Sequence, residues 1–306
     1  MMLVILLNII LILITPFIMI GLLKKTKAFW SGRKGVNILQ PFWDVQKLMK
    51  KDAVYSKTTS WVFKFYPIVS ITTVIFAALF VPIINNLAII NIQFAFIIFA
   101  YVLGFGKFFS LISALDTGSS FEGMGASREA CFSTIVEPAF FITMASIAAL
   151  SQNYSFYSFQ FILKNAGVYG YLIIAIAVIT LFIMLLIECC RVPVDDPTTH
   201  LELTMIHEVM ILDNSGVDLG LITWASYIKM FLFTALISNL ILPADLPIFI
   251  AFIAVFCLSL LIAIIVGTVE SAFARFRMTH VFEFIFIMSI TALLILSLVT
   301  YRLYGN

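Results

Sequence analysis

The feature that most limits what this chain can fold into is a succession of apolar runs, each close to 20 residues long and nearly free of charge. A helix rises 1.5 Å per residue, so about 20 apolar residues cross the roughly 30 Å of hydrocarbon in a bilayer. Measured against that length, the runs give spans near 2–23, 66–90, 92–113, 128–150, 168–187, 226–243, 246–268 and 281–303. With 62% of the 306 residues hydrophobic and 11% charged, no water-soluble fold could cover this apolar surface. The chain therefore reads as an all-α integral membrane protein with about eight transmembrane helices. It forms a single membrane domain over 1–306, because no polar stretch is long enough to fold as a separate soluble unit. The first run has no basic leader and no small-residue cleavage site, so it is expected to be a retained span.

Net charge is only +2; its distribution says more. Lys24, Lys25, Lys27, Arg33, Lys34, Lys47, Lys50, Lys51, Lys57 and Lys64 lie between spans one and two, and alternate loops on the same side add Arg128, Arg191, Lys229, Arg275 and Arg277. The opposite side carries Lys164 and Arg302. Short loops rich in Lys and Arg stay in the cytoplasm, which places both termini outside. Nucleic acid is not an expected partner of such a chain; membrane lipid is. Within the first loop, a helix starting at Pro41 would set Phe42, Val45 and Met49 on one face and Lys47, Lys50 and Lys51 opposite, an amphipathic helix lying on the membrane surface or along a partner.

Several familiar motifs are absent. Gly123-Met124-Gly125-Ala126-Ser127 lacks the lysine of a phosphate-binding loop. His207-Glu208 begins like a zinc-protease helix, but Ile211 stands where the second histidine belongs, and His200 is two turns away. Cys131, Cys189, Cys190 and Cys257 have no metal-ligand spacing, and the adjacent Cys189 and Cys190 read as packing residues at a helix end. No bound metal or redox cofactor is expected in this chain.

Ionisable residues at membrane depth stand out instead. Glu137 falls near the middle of the fourth span, where a charge costs at least a few kcal/mol unless it is protonated, paired or beside water, and Pro138 after it should loosen the helix. Lys107 sits near the cytoplasmic end of the third span, within reach of the interface by snorkelling. The loop after the fifth span is acidic although it lies on the basic side: Glu188, Asp195, Asp196, Glu202, Glu208, Asp213 and Asp218. Asp196 could cap a helix with Pro197 at its first position, turning Glu202 inward. Such a cluster fits either a solvated face or a carboxylate funnel for protons.

Arg191-x-Pro193-x-Asp195 with Glu202-Leu203 resembles the signature loop of the complex I subunit 1 (or H) family. That family includes the small membrane subunit of formate hydrogenlyase and of energy-converting membrane-bound hydrogenases. The segment from Gly32-Arg33-Lys34-Gly35 to Lys47-Leu48 is similar to the family's first cytoplasmic loop. Leu115-Asp116-Thr117-Gly118-Ser119, Gly125-Ala126-Ser127-Arg128-Glu129 and Val136-Glu137-Pro138 resemble the hydrogenase branch, and Glu270 with Ala274-Arg275 the last cytoplasmic loop. The resemblance implies a tilted eight-helix bundle in the inner membrane of a prokaryote, joining hydrophilic hydrogenase-like large and small subunits to antiporter-like membrane subunits. The partners would carry iron–sulfur clusters and, in hydrogenases, nickel–iron.

It further implies a proton (or sodium) path through Glu137, Glu202, Asp195, Asp196, Glu188, Glu208, Glu129, Asp116 and Lys107. Arg33, Lys34, Arg128, Arg191 and Arg275 would dock partners or balance charge. Thr198 and His200 stand where quinone-reducing members carry glutamates, and Val194 where they carry an aromatic, which favours the hydrogenase branch. The alternatives are a quinone-chamber subunit of an NADH:quinone oxidoreductase and a stand-alone secondary transporter, although no internal repeat supports the latter.

Overall fold

The computed structural model describes residues 2–85, 88–151, 156, 167–196, 205–243 and 246–304. Its elements are α1 (Met2–Trp30), α2 (Gln40–Leu48), α3 (Trp61–Ala78), α4 (Ala95–Asp116), α5 (Ser120–Ser151), α6 (Gly167–Glu188), the single turn α7 (His207–Met210), α8 (Gly216–Ile241), α9 (Ile248–Ala272) and α10 (Met278–Tyr304). Eight of them, all but α2 and α7, are long and apolar enough to cross a membrane. The expected all-helical, multi-pass architecture stands. The Lys/Arg-rich loops, with α2 and α7, gather at one end of the bundle, called here the charged end.

The spans differ from expectation where charge or proline confused the apolar window. The expected span 66–90 is a helix only over Trp61–Ala78. It starts early because Ser60 caps it, the hydroxyl accepting from Val62 N at 3.2 Å, while Asp116 Oδ2 takes the Ser60 N–H at 2.7 Å. It stops early before Pro82, and residues 79–84 continue as a buried non-helical segment. Phe80, Val81, Ile83 and Ile84 all lie in the core. Irregular backbone at such depth must find partners inside the protein. The Asn239 amide donates to the Pro82 carbonyl, Ile90 N donates to Leu79 O at 2.9 Å, and Asn85 Nδ2 donates to Leu246 O at 2.6 Å.

Two other helices begin well before their expected starts. α5 opens at Ser120 rather than near 128, and α8 at Gly216 rather than near 226. At 32 residues α5 is about 48 Å long, so its first turns extend beyond the hydrocarbon. It remains helical through Pro138. Lys229 consequently lies inside α8, not in a loop.

α8 is the axis of the bundle. It packs on α1, α2, α3, α6 and α9, and Phe231, Leu232, Leu236 and Leu240 are fully buried. α4, α9 and α10 keep most of their surface outward. The amphipathic helix α2 forms as expected, one residue earlier than Pro41, with Val45 buried and Phe42 edge-on to Phe17 of α1, ring centroids 5.4 Å apart.

Close helix contacts depend on glycine. Gly267 of α9 faces Thr26 and the Leu23 carbonyl of α1, and a methyl group there would overlap the Thr26 hydroxyl. Gly216 opens α8 at φ +53° against the Asp52 carbonyl, a conformation few other residues adopt. Replacing Gly267 by Val should force α1 and α9 apart and cost about 1–3 kcal/mol. The expected outcome is a melting temperature lowered by several degrees in detergent; an unchanged melting curve would show that the two helices are not in register here.

Candidate functional site: a buried chain of ionisable groups

Charge at the centre of this bundle is concentrated around one carboxylate. Glu188 ends α6 with a side chain only 6% exposed. Its Oε1 accepts from the Lys107 ammonium of α4 at 2.7 Å and its Oε2 from the Lys229 ammonium of α8, also at 2.7 Å. Lys107 lies 3.5 Å from Glu129 Oε1 of α5 as well. Four helices therefore meet at two carboxylates and two ammonium groups. Lys107 does not snorkel: its side chain is 12% exposed and turned into this cluster. A buried ion needs partners because desolvation otherwise exceeds the gain, and each of these four has one.

The cluster sits in a chamber of about 80 Å³ bordered by Tyr66, Ser70, Thr73, Ser110, Cys189, Cys190, His207 and Ser226. That volume can hold several water molecules beside hydroxyl and charged partners. Cys189, Cys190, His207, Ile222 and Ser226 also border a vestibule of about 540 Å³ at the charged end. The vestibule has an apolar wall of Ile20, Leu23, Val36, Ile211 and Leu219, and polar groups Lys24, Lys27, Arg191, Glu208, Tyr227 and Glu270. On the other side, Lys107 and Glu188 border a pocket of about 30 Å³ that Glu137 also lines. Glu137 is exposed on the outer face of α5, so it stands at the rim of that pocket, open to whatever covers this face. The three spaces share lining residues and so lie side by side between the charged end and the middle of α5.

His207 borders both the chamber and the vestibule, and Glu208 lines the vestibule beside it. Burial, followed by repulsion from Asp195, pushes the Glu208 carboxyl up to about 7, with Arg191 opposing. Burial pulls the His207 imidazole down, leaving it neutral at physiological pH. Burial also raises the Cys189 thiol to about 11 and holds the Cys190 thiol well above its usual value, so neither is a thiolate.

The other acidic residues around the vestibule are tied to basic or backbone groups. Asp195 is fully buried: its oxygens accept from Ile206 N at 2.9 Å, His207 N at 3.3 Å and Asp196 N at 2.9 Å, and Arg275 Nη2 lies at 2.9 Å. Glu270 pairs with Lys27 at 2.9 Å and Arg191 at 3.5 Å, and Lys27 reaches Asp196 at 3.8 Å. Arg128 Nη1 donates to Met205 O at 2.9 Å. These contacts fasten α1, α5, α9 and the 191–196 loop around the vestibule. Asp116 stands apart, occupied at the start of α3. Arg33 and Lys34 are exposed in the loop after α1. Glu202, with its expected helix from Pro197, lies outside the described residues.

Sequence reasoning missed Lys229, Lys27 and Glu270 as parts of this arrangement. Lys229 and Lys27 counted there only as orientation charges, and Glu270 only as part of a motif; a run of residues gives no sign that charges on α1, α4, α6, α8 and α9 converge. Among the described residues, no group of three or more His, Cys, Asp or Glu side chains is placed to hold a metal ion.

Comparison with known proteins agrees with this architecture. Hydrogenase-4 component C of Escherichia coli K12 is 27% identical over 238 residues, covering 77% of this chain and 73% of that protein. Formate hydrogenlyase subunit 4 of the same organism is 24% identical over 223 residues, covering 73% of this chain and 72% of that one. A chain in the structure of the membrane-bound sulfane sulfur reductase, an archaeal respiratory membrane complex, superposes with a TM-score of 0.82. It covers 97% of this chain and 99% of its own length at 19% identity, a likeness of fold. The family model described as NADH dehydrogenase matches residues 1–301. The chain belongs to this NADH dehydrogenase family, the complex I subunit 1 (H) type of membrane subunit.

Proposed function

We propose that this chain is the docking and coupling subunit of an energy-converting, hydrogenase-type or complex I-like assembly, passing protons between the charged end and the membrane interior. The observation that carries the reading is the row of adjacent cavities lined by Glu208, His207, the Glu188–Lys107–Glu129–Lys229 cluster and Glu137. A carboxyl poised at about 7 at the entrance can take and release a proton at working pH. The neutral imidazole of His207 can accept a proton on one nitrogen and give it from the other. Lys107, shared between two carboxylates, can reorient as they change charge. Glu137 would hand the proton to a neighbouring membrane subunit across the outer face of α5, since an ionisable group at that depth demands a covering partner or water. The relatives are named as a hydrogenase component and a formate hydrogenlyase subunit, which supports a part in a larger complex.

On this reading the charged end faces the cytoplasm of a prokaryotic cell and meets hydrophilic hydrogenase-like large and small subunits. These carry the iron–sulfur clusters and, in a hydrogenase, the nickel–iron site. Exposed Arg33, Lys34 and the face of α2 would contribute to that dock, while Arg128, Arg191 and Arg275 hold the vestibule walls together. Antiporter-like subunits would cover the α4–α5 face, and both termini would lie outside. A second reading has one observation in its favour: the vestibule, apolar on one wall with Tyr227 and His207 on the other, is large enough for a quinone head group. Inhibition of the assembled complex by quinone analogues would select that reading.

Glu137→Gln should abolish redox-driven gradient formation in membrane vesicles, to about a tenth of wild type or less, while the complex still assembles. Full gradient formation by that variant would remove Glu137 from the path. Glu208 also gives a pH prediction. Its carboxyl is raised from 4.5 to about 7, so the folded state holds a proton that the unfolded chain has lost. This contribution makes stability fall as pH rises from about 4.5 to 7, then level off. Glu208→Gln should flatten that part of the melting-temperature profile and flatten the turnover profile between pH 6 and 8; an unaltered slope in both would show that Glu208 titrates as an ordinary surface carboxylate.

A further inference from the structure

The chamber around Glu188 contains what a hard cation needs. Two carboxylates, Glu129 and Glu188, and the hydroxyl-bearing Ser70 and Ser110 line a space of about 80 Å³. Oxygen ligands of this kind, carboxylates above all, are the usual partners of hard metal cations. The positions a cation would take beside Glu188 are nevertheless filled. Each of its oxygens meets a different ammonium group at 2.7 Å, Lys107 on one side and Lys229 on the other, and Lys107 also covers Glu129 at 3.5 Å.

We infer that Lys107 and Lys229 are tethered counter-cations that exclude sodium and other alkali ions from this chamber, and so determine which ion it can pass. A sodium ion bound to Glu188 would stand within about 4 Å of two unit positive charges in a poorly screened interior, a strongly repulsive arrangement. A proton added to the cluster would carry the same unit charge, but a proton, unlike sodium, can pass by exchange. An ammonium group gives one up on one side through a water and takes another from the opposite side, so the cluster returns to the same charge and no further cation has to find a site beside Glu188. The lysines thus do two things: they neutralise Glu188 and Glu129 where lipid and protein cannot solvate them, and they leave no site for a competing ion. The exclusion follows from the ion-pair geometry alone. That the excluded ion competes with a transported proton rests on the function proposed above.

The test separates the two. The purified intact complex is titrated with sodium chloride against choline chloride, and sodium binding is read by ²³Na relaxation and by the sodium-dependent rise in melting temperature, without turnover. Lys229→Met is expected to gain a saturable sodium response at least tenfold tighter than wild type, roughly what removing one adjacent unit charge releases. Lys229→Arg should not gain it, and Lys229→Met combined with Glu188→Gln should lose it again. Lys107→Met carries the same expectation if Lys229→Met does not assemble. A Lys→Met variant whose sodium response equals that of wild type overturns the inference, as does a gain that survives Glu188→Gln. If Glu137→Gln leaves gradient formation intact while Lys229→Met gains sodium binding, the exclusion stands and the proton path falls.

Discussion

Everything at the heart of this bundle depends on the fact that a charge withdrawn from water must be met by another charge or by hydrogen bonds. Glu188 satisfies it with two ammonium groups from two different helices, and Glu129 shares one of them. Because the four groups come from α4, α5, α6 and α8, their pairing also fixes how those helices stand against one another. Removing one member would leave a buried charge uncompensated, which is far more damaging than replacing the whole set by apolar residues. A buried ionic set in an otherwise oily chain is thus weak evidence of stabilisation, and on the proposed reading it serves proton transfer.

A second set of pairs frames the vestibule: Lys27 with Glu270, Arg191 with Glu270, and Arg275 with Asp195. These join α1, α9 and the loops at the charged end. They also separate two kinds of acid. Asp195 is tied to a cation and to backbone donors, and Glu270 to two cations, as structural acids are. Among the described residues Glu208 lines the vestibule with no such ion pair or hydrogen bond and is lifted toward neutrality, and Glu137 stands at a pocket rim. On the proposed reading the second kind carries protons and the first keeps the route open.

Much of the fold was legible because bilayer thickness imposes a length on apolar segments and amphipathic helices carry a periodic face. The eight spans and α2 followed from those two rules. The misjudged boundaries share a cause. A hydropathy window treats Lys64, Lys229 and Asp218 as loop residues, whereas Ser60 capping, an acidic first turn and ion pairing extend α3 and α8 through them. It also reads the apolar stretch after Ala78 as helix, although Pro82 and the side-chain amides of Asn85 and Asn239 make a buried irregular segment tolerable. The site was legible in part: Glu137, Glu188, Glu208 and Lys107 drew notice as charges at depth or in an acidic loop, and Glu129 through the family resemblance. Lys107 was expected to snorkel to the interface or to join a proton path, and it stands at the centre of the cluster. Lys229 and Lys27 were invisible as site residues because their partners, Glu188 and Glu270, are distant in sequence.

On the proposed reading a hydrated polar route runs from Glu208 past His207 and Glu188 to Glu137. A map of the assembled complex in a lipid nanodisc, at a resolution that shows ordered water, would reveal it. Water is expected in the chamber and in the pocket beyond it, with a neighbouring membrane subunit covering Glu137. Dry packing between Glu188 and Glu137, with Glu137 facing acyl chains and no subunit against α5, would contradict it.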